Sequence, residues 1–128
     1  MIYVDTSAAF KLIKPEEHSA ALVAYLDGRD DFVSSALLAV ELRRGALRSA
    51  PRTLPRVDLF LASVEMVDMD PTVIEKASRL PDPLLRSLDA VHIATALLLE
   101  ADVDVLVSYD NRMLTAARSL GIVAVRPT

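Results

Sequence analysis

Residues 1–15 have the sequence MIYVDTSAAFKLIKP, and this stretch sets the fold class of the chain. The first four residues form an apolar run rich in β-forming side chains, which predicts a short strand. A helical pattern then runs from Thr6 to Lys14 and stops at Pro15, which cannot continue a helix. Because Asp5 stands between the two, the stretch predicts a strand that ends on a carboxylate and leads into a helix.

The same alternation of strand and helix recurs along the rest of the chain. Strands are predicted over residues 1–4, 31–35, 64–69, 104–109 and 122–126. Helices are predicted over residues 6–14, 16–27, 36–49, 56–63, 71–79, 88–100 and 110–120, with Ser35, Asp70 and Ser87 as N-caps. This order is typical of βαβ units and predicts a three-layer α/β/α sandwich around a mainly parallel sheet. With 128 residues, we expect residues 1–128 to form a single domain.

Composition excludes several classes of protein. The absence of Cys excludes a disulfide framework, a thiolate zinc site and a cysteine nucleophile, and two His are too few for most imidazole metal sites. The chain has 18 acidic and 14 basic residues, and its net charge of −4 argues against a general nucleic-acid binder. No apolar run reaches the roughly 18 residues that span a bilayer, and the N-terminus lacks a basic region before its apolar run. We therefore expect a soluble, cytoplasmic protein without a membrane partner.

Two predicted strands are each followed at once by a carboxylate. Asp5 follows the first strand, and Asp110 follows the strand DVLVSY at 104–109. Ligand sites form at the carboxyl ends of parallel strands, so the two carboxylates would converge if these strands were neighbours. An alternative for Asp5 is that it only caps the next helix by accepting backbone N–H bonds.

Asp89 lies on the apolar stripe of a predicted helix. Its neighbours at helical spacing are His92, Ile93, Ala96 and Leu97. Burying an unpaired carboxylate costs on the order of several kcal/mol, so Asp89 must be a helix cap, a salt-bridge partner or part of a metal site.

Glu41 occupies the middle of another predicted helix. Arg44 and Arg48 follow it on the same stripe, so an exposed Glu–Arg pair explains this position as well as a functional carboxylate does. If all four carboxylates cluster, their repulsion raises their pKa values unless a cation neutralises them. Oxygen ligands favour Mg²⁺ or Mn²⁺ over Zn²⁺, and such an ion activates water and polarises a phosphoryl oxygen.

Five segments in this order carry a resemblance to a known family. They are IYVDTSA at 2–8, SALLAVELRRG at 35–45, SLDAVHIATAL at 87–97, VSYDNRML at 107–114 and GIVAVRP at 121–127. Together they cover essentially the whole chain, which resembles the PIN-domain family and specifically the VapC toxins of type II toxin–antitoxin pairs.

The resemblance implies a function and a set of site residues. It matches the family's acidic residues to Asp5, Glu41, Asp89 and Asp110, of which Asp5, Asp89 and Asp110 are the expected metal ligands. It implies a Mg²⁺-dependent endoribonuclease whose metal-bound water attacks phosphorus and leaves a 5′-phosphate and a 3′-hydroxyl. It also implies a VapB-type antitoxin and a homodimer.

The resemblance further implies supporting roles around these carboxylates. Thr6 matches the hydroxyl residue after the first Asp, and Ser108 stands where the family commonly has Thr, a hydroxyl that can hold a metal-bound water. His92 is placed beside the site as a packing residue rather than a general base.

Arginine is concentrated in one stretch that contains no acid. Arg43, Arg44, Arg48, Arg52 and Arg56 fall within it, and the first three are candidates for contact with RNA phosphates. A solvated helix face explains the same run equally well.

Two other functions are weighed against the nuclease. A receiver-like phosphoacceptor domain is also a parallel α/β sandwich, but it would want paired acids after the first strand and a Lys after a late strand, which this chain lacks. A PIN fold kept only for binding RNA or protein is the other alternative, and only an activity assay separates it from the nuclease.

Overall fold

The computed structural model describes all 128 residues as five strands and seven α-helices. In chain order these are β1 (Ile2–Val4), α1 (Thr6–Ile13), α2 (Ser19–Leu26), β2 (Phe32–Ser35), α3 (Leu37–Ser49), α4 (Leu54–Ser63), β3 (Glu65–Val67), α5 (Pro71–Ser78), α6 (Ser87–Leu98), β4 (Val105–Val107), α7 (Asn111–Ser119) and β5 (Ala124–Val125). A single 3₁₀ turn, Pro51–Thr53, precedes α4. None of the helices has the length and apolar character needed to cross a membrane.

All five strands lie parallel in one sheet. Their order is β3-β2-β1-β4-β5, with β1 at the centre. This confirms the predicted parallel sandwich. It also argues against the receiver-like alternative, because receiver domains have the strand order 2-1-3-4-5.

Side chains of β1 alternate between two hydrophobic clusters, one on each face of the sheet. Ile2 and Val4 belong to a cluster of 16 buried residues filled from α1, α2, α3 and α4. Tyr3 points to the opposite face, into a second cluster of 9 buried residues that includes side chains from α6 and α7. Since successive strand residues face opposite ways, the three residues of β1 join both helical layers to the sheet.

The ends of several elements differ from the sequence-based prediction. α2 begins at Ser19 instead of residue 16, because the chain turns before it and His18 adopts a left-handed backbone with φ 69°. α4 begins at Leu54 instead of residue 56, and Pro55 lies in its first turn. Helices tolerate Pro there because the missing N–H has no partner within the helix.

Of the three predicted N-caps, only Asp70 is confirmed. Its side chain accepts the Val73 N–H at 2.9 Å. Ser87 is wrong as a cap, because it is already the first residue of α6 and the cap position is Arg86. Ser35 accepts the Leu37 N–H at 3.1 Å but ends β2, and Ala36 takes the cap position.

Candidate functional site

The order of the strands reverses between β1 and β4, which makes this position a topological switch point. From β1 the chain proceeds through β2 to β3 on one side, whereas β4 and β5 lie on the other. Val4 and Val107 are paired in register, so Asp5 and Ser108 follow them at the same edge. The carboxyl ends of strands flanking such a switch point open a crevice, which is the usual ligand position in open α/β sheets.

Asp5 is a buried carboxylate in this crevice. Its Oδ1 accepts the Ala8 N–H at 2.9 Å and the Ser7 hydroxyl at 2.7 Å. Its Oδ2 accepts a hydrogen bond from the Ser108 hydroxyl. Burial raises the pKa of Asp5, and these bonds oppose the rise. Asp5 therefore caps α1, as the alternative explanation proposed, and also holds the Ser108 hydroxyl of the neighbouring strand end.

Two serines fasten the end of β1 to the end of β4. The Ser7 hydroxyl accepts the Tyr109 N–H at 2.8 Å while donating to Asp5. The Ser108 hydroxyl accepts the Asp110 N–H at 3.0 Å. Ser7 is a site residue that was not predicted, although a hydroxyl two residues after a strand-end Asp was the signal that could have revealed it. Ser108 lies against Asp5, and its role in holding a water stays a prediction.

Asp110 and Asp89 approach each other in the crevice from two helices. Asp110 caps α7, with Oδ1 accepting the N–H groups of Arg112 at 2.9 Å and Met113 at 3.3 Å. Asp89 is half-buried in the first turn of α6 and accepts no hydrogen bond and forms no ion pair within the chain. Neither the helix-cap nor the salt-bridge explanation therefore accounts for Asp89.

The pKa of Asp89 reports its surroundings. Burial raises it most, and the negative charges of Asp110 and Glu41 raise it further, against the opposing effects of Arg86 and His92. The charges of Asp110 and Glu41 thus act on Asp89 across the crevice, and the role of these carboxylates in holding a metal ion stays a prediction.

Glu41 projects from α3 and is held by two donors on one oxygen. Thr6 donates its hydroxyl to Oε1 at 2.8 Å, and the His92 Nε2 lies 2.6 Å from the same atom. The alternative of an exposed pair with Arg44 or Arg48 is wrong, because Glu41 contacts neither and is only 20% exposed.

His92 is buried, with both ring nitrogens in hydrogen bonds. Its Nδ1 lies 2.7 Å from the Tyr3 hydroxyl, which also accepts the Ser35 N–H at 3.1 Å. An ionised carboxylate can only accept, so Nε2 donates to Glu41, and in the neutral imidazole Nδ1 then accepts from the Tyr3 hydroxyl. Burial raises the pKa of Tyr3, which keeps that hydroxyl protonated. His92 is therefore a packed residue, as expected, that also anchors Glu41.

The three arginines proposed for RNA contact occupy different surroundings. Arg43 forms an ion pair with Asp58 of α4 at 3.0 Å, and Arg44 is exposed without a partner. Arg48 lines a small cavity that also includes Ser7. Arg48 therefore shares a cavity with a residue that contacts Asp5.

Oxygen donors dominate the crevice: four carboxylates and the hydroxyls of Thr6, Ser7 and Ser108. Hard cations such as Mg²⁺ bind this kind of donor. In the conformation of the structure, no three acidic or imidazole side chains converge closely enough to hold one ion. The donor chemistry fits Mg²⁺, but the carboxylates must reorient to enclose it.

A family model and a curated relative both match this chain over most of its length. A sequence model described as "PIN domain" matches residues 2–119. Ribonuclease VapC35 of Mycobacterium tuberculosis is 42% identical over 131 residues, covering 99% of this chain and 97% of that protein.

Solved structures agree in fold. A toxin–antitoxin complex from Klebsiella pneumoniae has a chain that superposes with a TM-score of 0.77 at 17% identity, covering 100% of this chain and 98% of that one. VapC20 of Mycobacterium tuberculosis, a toxin that cleaves the sarcin-ricin loop, superposes with a TM-score of 0.74 at 16% identity, covering 99% and 100%. The parallel sheet, the strand-end carboxylates and these similarities together place the chain in the PIN domain family, in the group that includes the VapC proteins.

Proposed function

We propose that this protein is a Mg²⁺-dependent endoribonuclease that acts as the toxin of a toxin–antitoxin pair. The observation that carries the proposal is that Asp89 forms no ion pair and faces the negative charges of Asp110 and Glu41, in the crevice that also holds the buried Asp5. Such a concentration of negative charge is unfavourable by itself and becomes favourable when a cation binds. The naming of VapC35 as a ribonuclease supports the same activity.

Asp5, Asp89 and Asp110 would hold the ion, and Glu41 would act directly or through water. When bound, Mg²⁺ (or Mn²⁺ in its place) supplies Lewis acidity and an activated water for in-line displacement at phosphorus.

The remaining residues of the site orient these carboxylates. Ser7 and Ser108 fix both oxygens of Asp5, and Thr6 and His92 fix one oxygen of Glu41. The second oxygen of Glu41 accepts no hydrogen bond within the chain, so it is free to accept one from a water or substrate hydroxyl. Fixing one oxygen and leaving the other available suits a group that must hold a water in a defined position.

Partners follow from the same proposal. We infer a VapB-type antitoxin, since the fold is shared with a chain of a toxin–antitoxin complex and an acidic crevice is complementary to an Arg or Lys side chain of a partner. A homodimer and a cytoplasmic location also belong to the proposal. The exposed apolar side chains of Val23 on α2 and Leu59 on α4 line one groove, which offers a surface to a second copy of the chain.

A binding module without catalysis is the second candidate. The observation that favours it is that three donors do not converge on one point in the structure. It predicts RNA or protein binding without any change in RNA length.

The deciding experiment incubates purified protein with total RNA in Mg²⁺, in EDTA, and with Asp5→Asn in Mg²⁺. Discrete new 5′ ends that appear only for the wild-type protein in Mg²⁺ support the nuclease, and sequencing those ends identifies the target. Intact RNA in all three reactions, with RNA retained by the protein, would favour the binding module. Equal cleavage in EDTA would remove the metal from the proposal.

A further inference from the structure

A small polar cavity adjoins the acidic crevice on the far side of Ser7. It has a volume of about 260 Å³, and we call it the basic cavity. Its wall includes Ser7, Phe10, Lys14, Arg48 and Tyr109, together with Lys11 and the Glu16 carboxylate that pairs with it, so the lining carries two more positive than negative charges. α1 and the residue that ends it supply the lysines and α3 supplies the arginine, so two helices of one layer bring their cations to the same opening.

Two of the three cations in the basic cavity have no acidic partner. The Lys11 ammonium donates to Glu16 at 3.2 Å and to the Glu17 carbonyl at 2.8 Å, and it lies 4.6 Å from the centre of the Tyr109 ring. Lys14 and Arg48 form no ion pair and no side-chain hydrogen bond within the chain. In a protein of net charge −4, two unpaired cations facing one cavity indicate an anionic ligand from outside.

Ser7 connects the basic cavity to the acidic crevice. Its hydroxyl donates to Asp5 at 2.7 Å, and the same residue lines the cavity. An anion in the cavity would therefore lie next to the carboxylates instead of on a separate surface. A nucleic-acid substrate needs an anion site beside the reactive site, because only one phosphate reacts and the neighbouring phosphates of the backbone lie next to it.

The opening of the basic cavity is maintained by Gly45. A Cβ at this position would approach the Phe10 ring carbons Cε2 and Cζ to 2.6 Å, so any larger residue would displace the ring that forms part of the wall. Phe10 and Gly45 thus let α1 and α3 approach closely while Arg48, one turn further along α3, reaches the opening.

We propose that the basic cavity binds a backbone phosphate of the RNA next to the bond that is cleaved, with Lys14 and Arg48 as its ligands. The proposal rests on the ribonuclease function above. It deepens that function by stating that the RNA backbone runs from the carboxylates into the basic cavity. It selects Arg48 over Arg43, whose guanidinium is paired with Asp58. It also adds Lys14, which lies outside the arginine-rich stretch.

The test measures RNA binding separately from cleavage. An RNA oligonucleotide that contains the cleaved site is labelled and titrated with protein in EDTA, by fluorescence anisotropy, at several salt concentrations between about 50 and 200 mM. Lys14→Ala and Arg48→Ala are compared with Lys76→Ala and Arg79→Ala at the C-terminal end of α5, which exchange the same residue types at exposed positions away from the cavity. Arg48→Lys keeps the charge and serves as the rescue.

We expect Lys14→Ala and Arg48→Ala each to weaken binding about fivefold or more and to reduce the salt slope of log K by about 0.7 to 1, as for one lost phosphate contact. In Mg²⁺ they should raise the KM for RNA more than they lower kcat. Arg48→Lys should recover most of the affinity, and the α5 variants should match the wild type in all measurements.

Two failures are distinguishable. If wild-type protein cleaves the RNA but the cavity variants bind it like the α5 variants, the basic cavity is not a phosphate site and the ribonuclease function stands. If wild-type protein neither binds nor cleaves RNA, the proposed function itself fails.

Discussion

The His92 Nε2 lies 2.6 Å from Glu41 Oε1, although 51 positions separate the two residues in the chain. α3, which carries Glu41, packs on one face of the sheet, and α6, which carries His92, packs on the other. This bond therefore joins the two helical layers past the carboxyl ends of the strands. Tyr3 extends the connection into the central strand, so Glu41 is tied to the most buried part of the fold.

His92→Phe should remove this anchor while keeping an aromatic ring in the core. The change leaves the Tyr3 hydroxyl without its acceptor and Glu41 with Thr6 alone, which costs about 1–3 kcal/mol for each buried polar group left unpaired. We expect a lower free energy of unfolding in urea and weaker RNA cleavage under conditions where the variant is still folded. Wild-type stability together with wild-type cleavage would show that the bond to Glu41 has no consequence.

Asp5→Asn should abolish cleavage and leave a folded protein. The amide keeps the volume of Asp5 and one oxygen to cap α1, but it removes the charge that a metal ion requires. Circular dichroism and an RNA cleavage assay measure the two effects. Asp58→Asn is the matched control, because Asp58 is exposed and paired only with Arg43, so that variant should cleave normally. Metal-dependent cleavage by Asp5→Asn would contradict the assigned role.

Asp89→Asn should make the metal-free protein as stable as the wild type or more stable at neutral pH. Because the folded state raises the pKa of Asp89, the wild type gains stability from this group in acid and loses it as the pH rises through the raised pKa. The advantage of Asp89→Asn should therefore disappear below the ordinary Asp pKa of 3.8. Thermal unfolding of both proteins in EDTA across pH measures this difference. A marked loss of stability at neutral pH would instead assign Asp89 a structural role.

Added Mg²⁺ should raise the melting temperature of the wild type, because an ion bound only by the folded state shifts the unfolding equilibrium. Asp5→Asn and Asp89→Asn should show a smaller shift or none. Cleavage should occur with Mg²⁺ or Mn²⁺, be lost in EDTA, and be weak with Ca²⁺, whose larger coordination sphere positions water poorly. Differential scanning calorimetry gives a readout independent of activity. Equal shifts in all three proteins would place the ion elsewhere.

The sequence was sufficient to predict the parallel sandwich, because strand and helix patterns alternate clearly and Asp5 and Asp110 each mark a strand end. It could not give the bond between His92 and Glu41 or the role of Ser7. Those depend on which strands are neighbours and on how two helices meet across the sheet edge, which local patterns do not encode. The supposed cap at Ser87 shows the same limit, since Ser is favourable both at a cap and in the first turn.

Asp5 and Asp110 each cap the N-terminus of a helix, and each also contributes a carboxylate to the crevice. The backbone bond fixes the distance between the main chain and the acidic group, so lengthening either side chain by one methylene would change both roles at once. Glu at these two positions would preserve the charge, but its longer side chain would place the carboxylate at a different distance from the backbone. Glu41 caps no helix, so no cap hydrogen bond fixes its length. In a redesign of this crevice, replacing Asp5 or Asp110 by Glu would therefore keep the negative charge and disturb the helix cap. The length of the acidic side chain can be varied at Glu41, which lies within a helix and caps none.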